Sequence, residues 1–283
     1  MSEKPQGGAA SVRGRRAGAT GIVHRLRILQ VLAAAEFKLK YAGSALGYVW
    51  SVLKPLLLFT MLYLVFGRVF KLGLISPYYS VSLLIGIVLF TFLADATSLA
   101  MWSLVSRESL LRKLIFPRSV IPTSATMTAA ITFCTNAVVV MGFVFWNGLV
   151  PQPDWVLIVP LLLELYVFTL GVSLILATLF VRFRDLSQIW ELALQLFFYA
   201  SPIIYPIGYL PPWARNIAFL NPFTQILQDI RYLLIYPEDD QIVTATTAFG
   251  QFGRLIPIGI AFALFGLGVV MFRRDEPWFA ERI

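Results

Sequence analysis

Cysteine occurs once in the 283 residues, at Cys134, and histidine once, at His24. A lone cysteine makes no internal disulfide or thiolate cluster, and a lone histidine supplies no multi-histidine metal site. Charge is scarce too. Only 13% of residues are Asp, Glu, Lys or Arg, against roughly 25% in soluble domains, so no ordinary water-facing surface can be built. The pattern G-x-x-x-x-G-K-[ST] is absent, which leaves the chain without a phosphate-cradling loop of its own. Neither H-E-x-x-H nor paired Cys/His spacing offers a metal. No catalytic residue, metal or cofactor is therefore expected. Residues 1–21, rich in Gly, Ala, Ser and Arg, lack the apolar core of a secretion signal and read as a disordered basic cytoplasmic tail.

What is present is apolar: 58% of the chain. A helix crosses a bilayer with about 20 mostly apolar residues. Six stretches meet or approach that length: 49–67, 80–104, 119–146, 155–181, 186–205 and 255–272. Their only charges are Lys54, Asp95, Glu164 and Glu191, and 119–146 and 255–272 have none. The fold expected is an all-α integral membrane protein, with six transmembrane helices inside 43–272. Cys134, in an uncharged run, reads as a small buried hydrophobe.

The net charge of +8 suggests nucleic acid until its placement is considered. Segments 1–48, 105–118, 182–185 and 273–283 hold 8, 4, 2 and 3 basic residues, seventeen in all. The alternate connections hold five: Arg68, Lys71, Arg215, Arg231 and Arg254. Lys and Arg concentrate on the cytoplasmic side of membrane proteins. Both termini, including the tail 273–283, are thus expected inside, which requires an even number of spans.

Two further segments are helical without spanning. In 22–42, Ile22, Leu26, Leu29, Ala33 and Phe37 fall at helical spacing among Arg25, Arg27, Lys38 and Lys40, an amphipathic helix for the membrane surface. Gly43, Ser44 and Gly47 then loosen the turn into the first span. In 206–236, Pro206, Gly208, Pro211 and Pro212 preclude one long helix, while Asn221-Pro222 is a helix start. Phe223, Ile226, Leu227, Ile230, Leu233 and Leu234 give that helix an apolar face. The expectation is a re-entrant pair dipping into the outer leaflet. Glu238, Asp239 and Asp240 beyond it read as a solvated turn.

Ionisable groups at membrane depth are costly and usually functional. Gln188, Glu191 and Gln195 share one face of the fifth span, continued by Tyr199. Such a stripe faces protein or water, as interhelical bonding or as the wall of a hydrophilic path. Glu164 reads as a helix–helix contact. Asp95 reads as path lining or as a partner of a neighbouring hydroxyl. Asp185 with Gln188 three residues on has the capping-box pattern. In 106–118, Ser106 is positioned to cap a short helix with Leu110, Leu111, Leu114 and Ile115 on one face and Arg107, Glu108, Arg112 and Lys113 on the other. It is either a surface-lying linker or a knob for a soluble partner.

The stretch from Phe37 through Lys40, Tyr41 and Gly47 to Trp50 and Pro55 resembles the N-terminal signature of permease subunits of ABC-type polysaccharide and polyol-phosphate exporters. So do Leu111 through Arg118 with Pro122, Arg184-Asp185-Leu186, Ser201-Pro202-Ile203-Ile204-Tyr205, Asn221-Pro222 and the tail from Glu276-Pro277 to Glu281. The resemblance runs from about residue 25 to the end. It covers O-antigen, teichoic-acid, capsule and mycobacterial galactan exporters.

The resemblance implies a plasma-membrane homodimer with two copies of a separate ATPase docked beneath. Residues 106–118 become the coupling helix, with Arg107, Glu108, Leu111, Arg112, Lys113, Phe116 and Arg118 meeting the ATPase. Residues 22–42 become a gate helix, whose Arg25, Arg27, Lys38 and Lys40 meet the pyrophosphate of a polyprenyl-linked polysaccharide; simple cytoplasmic charge bias is the competing account of these four. Sugars present C–H faces and hydroxyls, which suit aromatics with polar tips. The channel-lining candidates are Tyr41, Tyr48, Trp50, Tyr63, Asp95, Gln188, Glu191, Gln195 and Tyr199, with an interfacial aromatic belt as the competing account of the aromatics. Rival readings are an ABC permease for drugs or lipids and an ion-coupled carrier using Asp95, Glu164 and Glu191. An intramembrane glycosyltransferase or phosphatase would need an acidic pair or a histidine nucleophile.

Overall fold

The structure is a computed structural model, which describes residues 29, 33, 47–74, 76–107, 117–235 and 242–279. Among these, helix α1 is Val49–Leu62, continued by a π-helical stretch Tyr63–Val69. Then come α2 (Tyr79–Ser106), α3 (Val120–Trp146), α4 (Ile158–Arg182) and α5 (Leu186–Ala200). The short α6 (Pro212–Phe219) precedes α7 (Pro222–Ile235), α8 (Ala245–Phe249) and α9 (Leu255–Asp275).

Among the described residues, five helices are long and apolar enough to cross a membrane: Val49–Val69, Tyr79–Ser106, Val120–Trp146, Pro153–Arg182 and Leu255–Trp278. In hydrocarbon every backbone group must be satisfied within the protein, and helices achieve this locally. Hydroxyls inside the spans do the same, turned back on their own turn: Thr97 donates to the Leu93 carbonyl at 2.7 Å and Thr178 to that of Leu174 at 2.8 Å. Helix α3 stops where the side-chain Nδ2 of Asn147 donates to the Phe143 carbonyl at 2.7 Å and Gly148 adopts a φ of 81°. Glycine takes that left-handed conformation at little cost.

Helix α2 is the hub, packed on α3, α4 and α7. Its Val81, Leu83, Leu84, Ile87 and Leu93 are fully covered. Helices α4 and α9 lie closer than side chains normally permit, because Gly171 and Gly268 bring backbone against backbone. In α1, by contrast, only Ser51 and Pro55 are buried.

Several expectations change. The fifth stretch, 186–205, is a helix of 15 residues followed by a broken turn at 201–205. Asp185 starts it without any side-chain cap. Its carbonyl, not its carboxylate, accepts from the amides of Gln188 and Ile189. Ser106 is the last residue of α2, and its hydroxyl donates to the Ser103 carbonyl at 3.2 Å; the short helix expected after it lies outside the described residues. Cys134 is exposed on α3, on the side of that helix left uncovered by the rest of the chain. The Asn221 cap is present, with its Oδ1 accepting from the Phe223 amide at 3.0 Å.

Candidate functional site

Gly47, with a φ of 42°, turns the chain into α1. Pro55 has no N–H, so the Ser51 carbonyl one turn back is left without its helical donor. The buried Asn136 of α3 fills the gap, its Nδ2 donating to the Ser51 carbonyl at 3.2 Å. The Tyr48 hydroxyl bonds to Thr135 of the same helix. These contacts fix the first turns of α1 against α3 and hold open a groove beside α2.

The groove encloses about 430 Å³. Trp50 and Trp102 stand at its walls, 38% and 50% exposed. Lys54 and Asp95 bring opposite charges into it, and Thr91, Ser98 and Thr132 bring hydroxyls. Trp102 is braced edge-on against Phe180 with ring centres 4.5 Å apart. Such a set can stack on a flat C–H face, donate and accept hydrogen bonds, and pair with an anion.

Two predicted path residues, Trp50 and Asp95, therefore meet in one groove, while Tyr48 is engaged by Thr135. Tyr63 does not join them. It is half-buried further along α1, stacked on Phe59 at 5.7 Å and covering Gly67, with Arg68 over its ring. Gln188, Glu191, Gln195 and Tyr199 all lie exposed on α5, away from that groove. Helix α5 hangs from α2 by the Trp190 indole, which donates to Thr97 at 3.1 Å, and by Phe197 and Phe198 against Phe90. Tyr41, Arg25, Arg27, Lys38 and Lys40 lie outside the described residues, as do Glu108, Leu111, Arg112, Lys113 and Phe116. The flanks of that last segment are described. Arg107 reaches Ser124 at 3.5 Å, and the Arg118 amide donates to Glu276 at 2.9 Å while its guanidinium donates to the Glu276 carbonyl.

Lys54, Thr91, Ser98, Trp102 and Thr132 were not singled out from the sequence. The signal exists for α2, since Thr91, Asp95, Ser98 and Trp102 recur at i, i+4, i+7 and i+11, one helical face.

A second polar cluster sits at the opposite end of the helices. Glu164 is buried on α4 where α7 packs, as a helix contact should be. The apolar face of α7 is buried within the protein, with Leu233 only half-buried. Its polar residues Gln225, Gln228, Asp229 and Arg231 are buried as well. Gln225 donates to Asp229 at 2.7 Å, and Arg254 at the start of α9 pairs with Asp229 at 3.1 Å. Burial pushes the Asp229 carboxyl above its ordinary value, and Gln225 and Arg254 pull it back. Arg231 donates to the carbonyls of Ser82 (2.9 Å), Pro202 (2.7 Å) and Ile203 (3.0 Å), and Tyr79 donates to that of Ile204 at 2.8 Å. They satisfy the backbone freed where α5 breaks.

Residues 27–235, which take in α1 to α7, match the ABC-2 type transporter family. The chain belongs to that family. It is 31% identical to an O-antigen export system permease protein, RfbA, of Klebsiella pneumoniae, over 90% of this chain and 94% of the relative. An RfbA of Myxococcus xanthus is 30% identical over 71% of this chain and 77% of its own length. The putative transport permease ycf38 of Porphyra purpurea is 28% identical, over 65% and 66% respectively. The described part of this ABC-2 type permease thus combines a groove of aromatic and charged side chains at one end of its spans with a clamped backbone break at the other.

Proposed function

We propose that the chain is the membrane-spanning subunit of an ABC exporter that moves a lipid-linked polysaccharide across the bacterial plasma membrane. Two copies pair above two copies of a separate ATPase, which supplies the work. The observation that carries the substrate class is the groove of Trp50, Lys54, Asp95 and Trp102, with its hydroxyl neighbours, in a chain similar to O-antigen export permeases along nearly its whole length.

Helix α5 is read as part of a sixth crossing. Its 15 residues rise about 22 Å, and the turn at 201–205 continues the chain across a core about 30 Å thick. Six crossings return both termini to the cytosol, in keeping with the seventeen-to-five excess of basic residues. The exposed stripe of Gln188, Glu191, Gln195 and Tyr199 then faces its copy across the path, where polar side chains escape lipid. Residues 206–236 with α6 and α7 form the re-entrant outer gate. Arg25, Arg27, Lys38 and Lys40 on the gate helix meet the pyrophosphate of the incoming lipid. Residues 106–118 couple the permease to the ATPase.

Depleting the chain in cells tests the reading. Undecorated lipid-linked polymer should accumulate on the cytoplasmic side while surface polymer disappears. Normal surface polymer with altered drug tolerance would favour the efflux permease instead. Transport that survives loss of ATP but collapses with the proton gradient would favour the ion-coupled carrier.

A further inference from the structure

A second groove, of about 450 Å³, opens where the start of α3, the middle of α4 and the C-terminal half of α9 converge. Leu170 and Leu174 of α4 and Val269 of α9 make its deep part apolar. At its rim stand Ser119 and the exposed Arg273. The groove also contains Glu276, whose carboxylate accepts from the Arg118 amide at 2.9 Å and whose carbonyl accepts from the Arg118 guanidinium. Arg118 and the positive start of α3 offset that negative charge. Arg182 is engaged by Asp275 at 2.9 Å. Arg273 has no ion pair among the described residues, so the rim keeps a net positive charge.

We propose that this groove binds an anionic phospholipid of the cytoplasmic leaflet, its hydrocarbon chain along Leu170, Leu174 and Val269 and its phosphate at Arg273 and Ser119. The chemistry is that of an amphiphile. The groove pairs an apolar side, Leu170, Leu174 and Val269, with a polar one, Ser119, Thr123, Arg273 and Glu276; a lipid chain covers the apolar side while its headgroup meets the polar one. A guanidinium donates two parallel bonds to a phosphate, which a zwitterionic headgroup counters with its own cation. Basic pockets between spans on the cytoplasmic side are where anionic headgroups are recognised. The choice of leaflet rests on the orientation proposed above. The groove is separate from the groove at Trp50.

The test uses the full-length chain in detergent with equal amounts of phosphatidylglycerol and phosphatidylcholine, read by native mass spectrometry. The wild type is expected to retain phosphatidylglycerol about fivefold over phosphatidylcholine. Arg273→Gln should bring the two to parity, and Arg184→Gln, at the same surface but outside the groove, should leave the preference intact. An unchanged preference in Arg273→Gln, or equal retention by the wild type, would overturn the proposal. So would displacement of the lipid by an equal concentration of inorganic phosphate, which has no chain for the apolar slot. Neither cargo nor ATPase enters this measurement, so it fails or succeeds independently of the export reading. Labelling Arg274→Cys in a Cys134→Ser background, in intact cells, reads the orientation by itself.

Discussion

Gly268 of α9 lies against the carbonyl oxygen of Gly171 in α4, where a Cβ would stand 2.5 Å from that oxygen. Gly171 is hemmed in by α9 in turn, since a Cβ on it would stand 2.6 Å from the Phe265 Cα, one turn before Gly268. Both obstacles are backbone and cannot swing aside. Between spans in lipid, close approach of this kind replaces the hydrophobic drive available in water. Gly268→Val is therefore expected to destabilise the purified chain by about 1–3 kcal/mol or more, the cost of overpacking. Gly266→Ala, on the same helix with nothing within 4 Å, should be neutral or slightly stabilising. Thermal unfolding in detergent measures both, and equal midpoints would refute the close packing.

Arg231 carries the second prediction. Its guanidinium reaches three buried carbonyls on two elements, the first turn of α2 and the break after α5. Arg231→Met removes all the donors at once, and each orphaned buried group costs about 1–3 kcal/mol. Arg231→Lys should recover only part of the loss, since a point ammonium cannot fork to several acceptors. Limited proteolysis should show the 201–205 turn becoming susceptible in Arg231→Met. Protection equal to the wild type would mean that the clamp contributes little.

These residues also mark the boundary of what the sequence discloses. The spanning stretches are legible because twenty apolar residues have few places to go other than lipid, and the stripe on α5 is legible because helical periodicity is local. Arg231 and Arg254 counted there only as charges of the outer connections. In the fold Arg231 is 4% exposed, and Arg254 pairs with the buried Asp229. Pro55 inside an apolar run announces that the Ser51 carbonyl lacks a donor, yet nothing local says that Asn136, 85 residues on, provides one. Lys54 and Trp102 were visible singly, but the groove they share depends on how α1 docks beside α2. Non-local pairing is the part that the residue pattern withholds.

The groove predicts a separation of stability from transport. Trp102 is half exposed and touches Phe180 by an edge, so Trp102→Ala should fold. If its face stacks on sugar, losing roughly 0.5–1.5 kcal/mol of aromatic contact slows export about two- to tenfold. Trp102→Phe, which keeps a ring, should recover most of the rate. Glu191→Leu should likewise reduce surface polymer at normal expression if the α5 stripe lines the path. Wild-type export from both Trp102→Ala and Glu191→Leu would return these residues to ordinary packing and lipid contact.

The last prediction concerns how the motor is felt. Arg107 is tied to Ser124 and Arg118 to Glu276, so the two flanks of the segment between α2 and α3 are anchored, one to α3 and the other to the end of α9. A push on Arg112 or Lys113 would then reach α3 and the end of α9 instead of dissipating in a slack loop. Charge reversal at Arg112 and Lys113 is expected to weaken co-purification of the ATPase while the permease still folds. Glu276→Gln, which leaves the docking surface intact but loosens the Arg118 anchor, should preserve co-purification and lower ATP-driven export. If charge reversal leaves the ATPase bound, the loop is a surface linker and docking lies elsewhere. If Glu276→Gln transports normally, the anchor serves only the fold of α9.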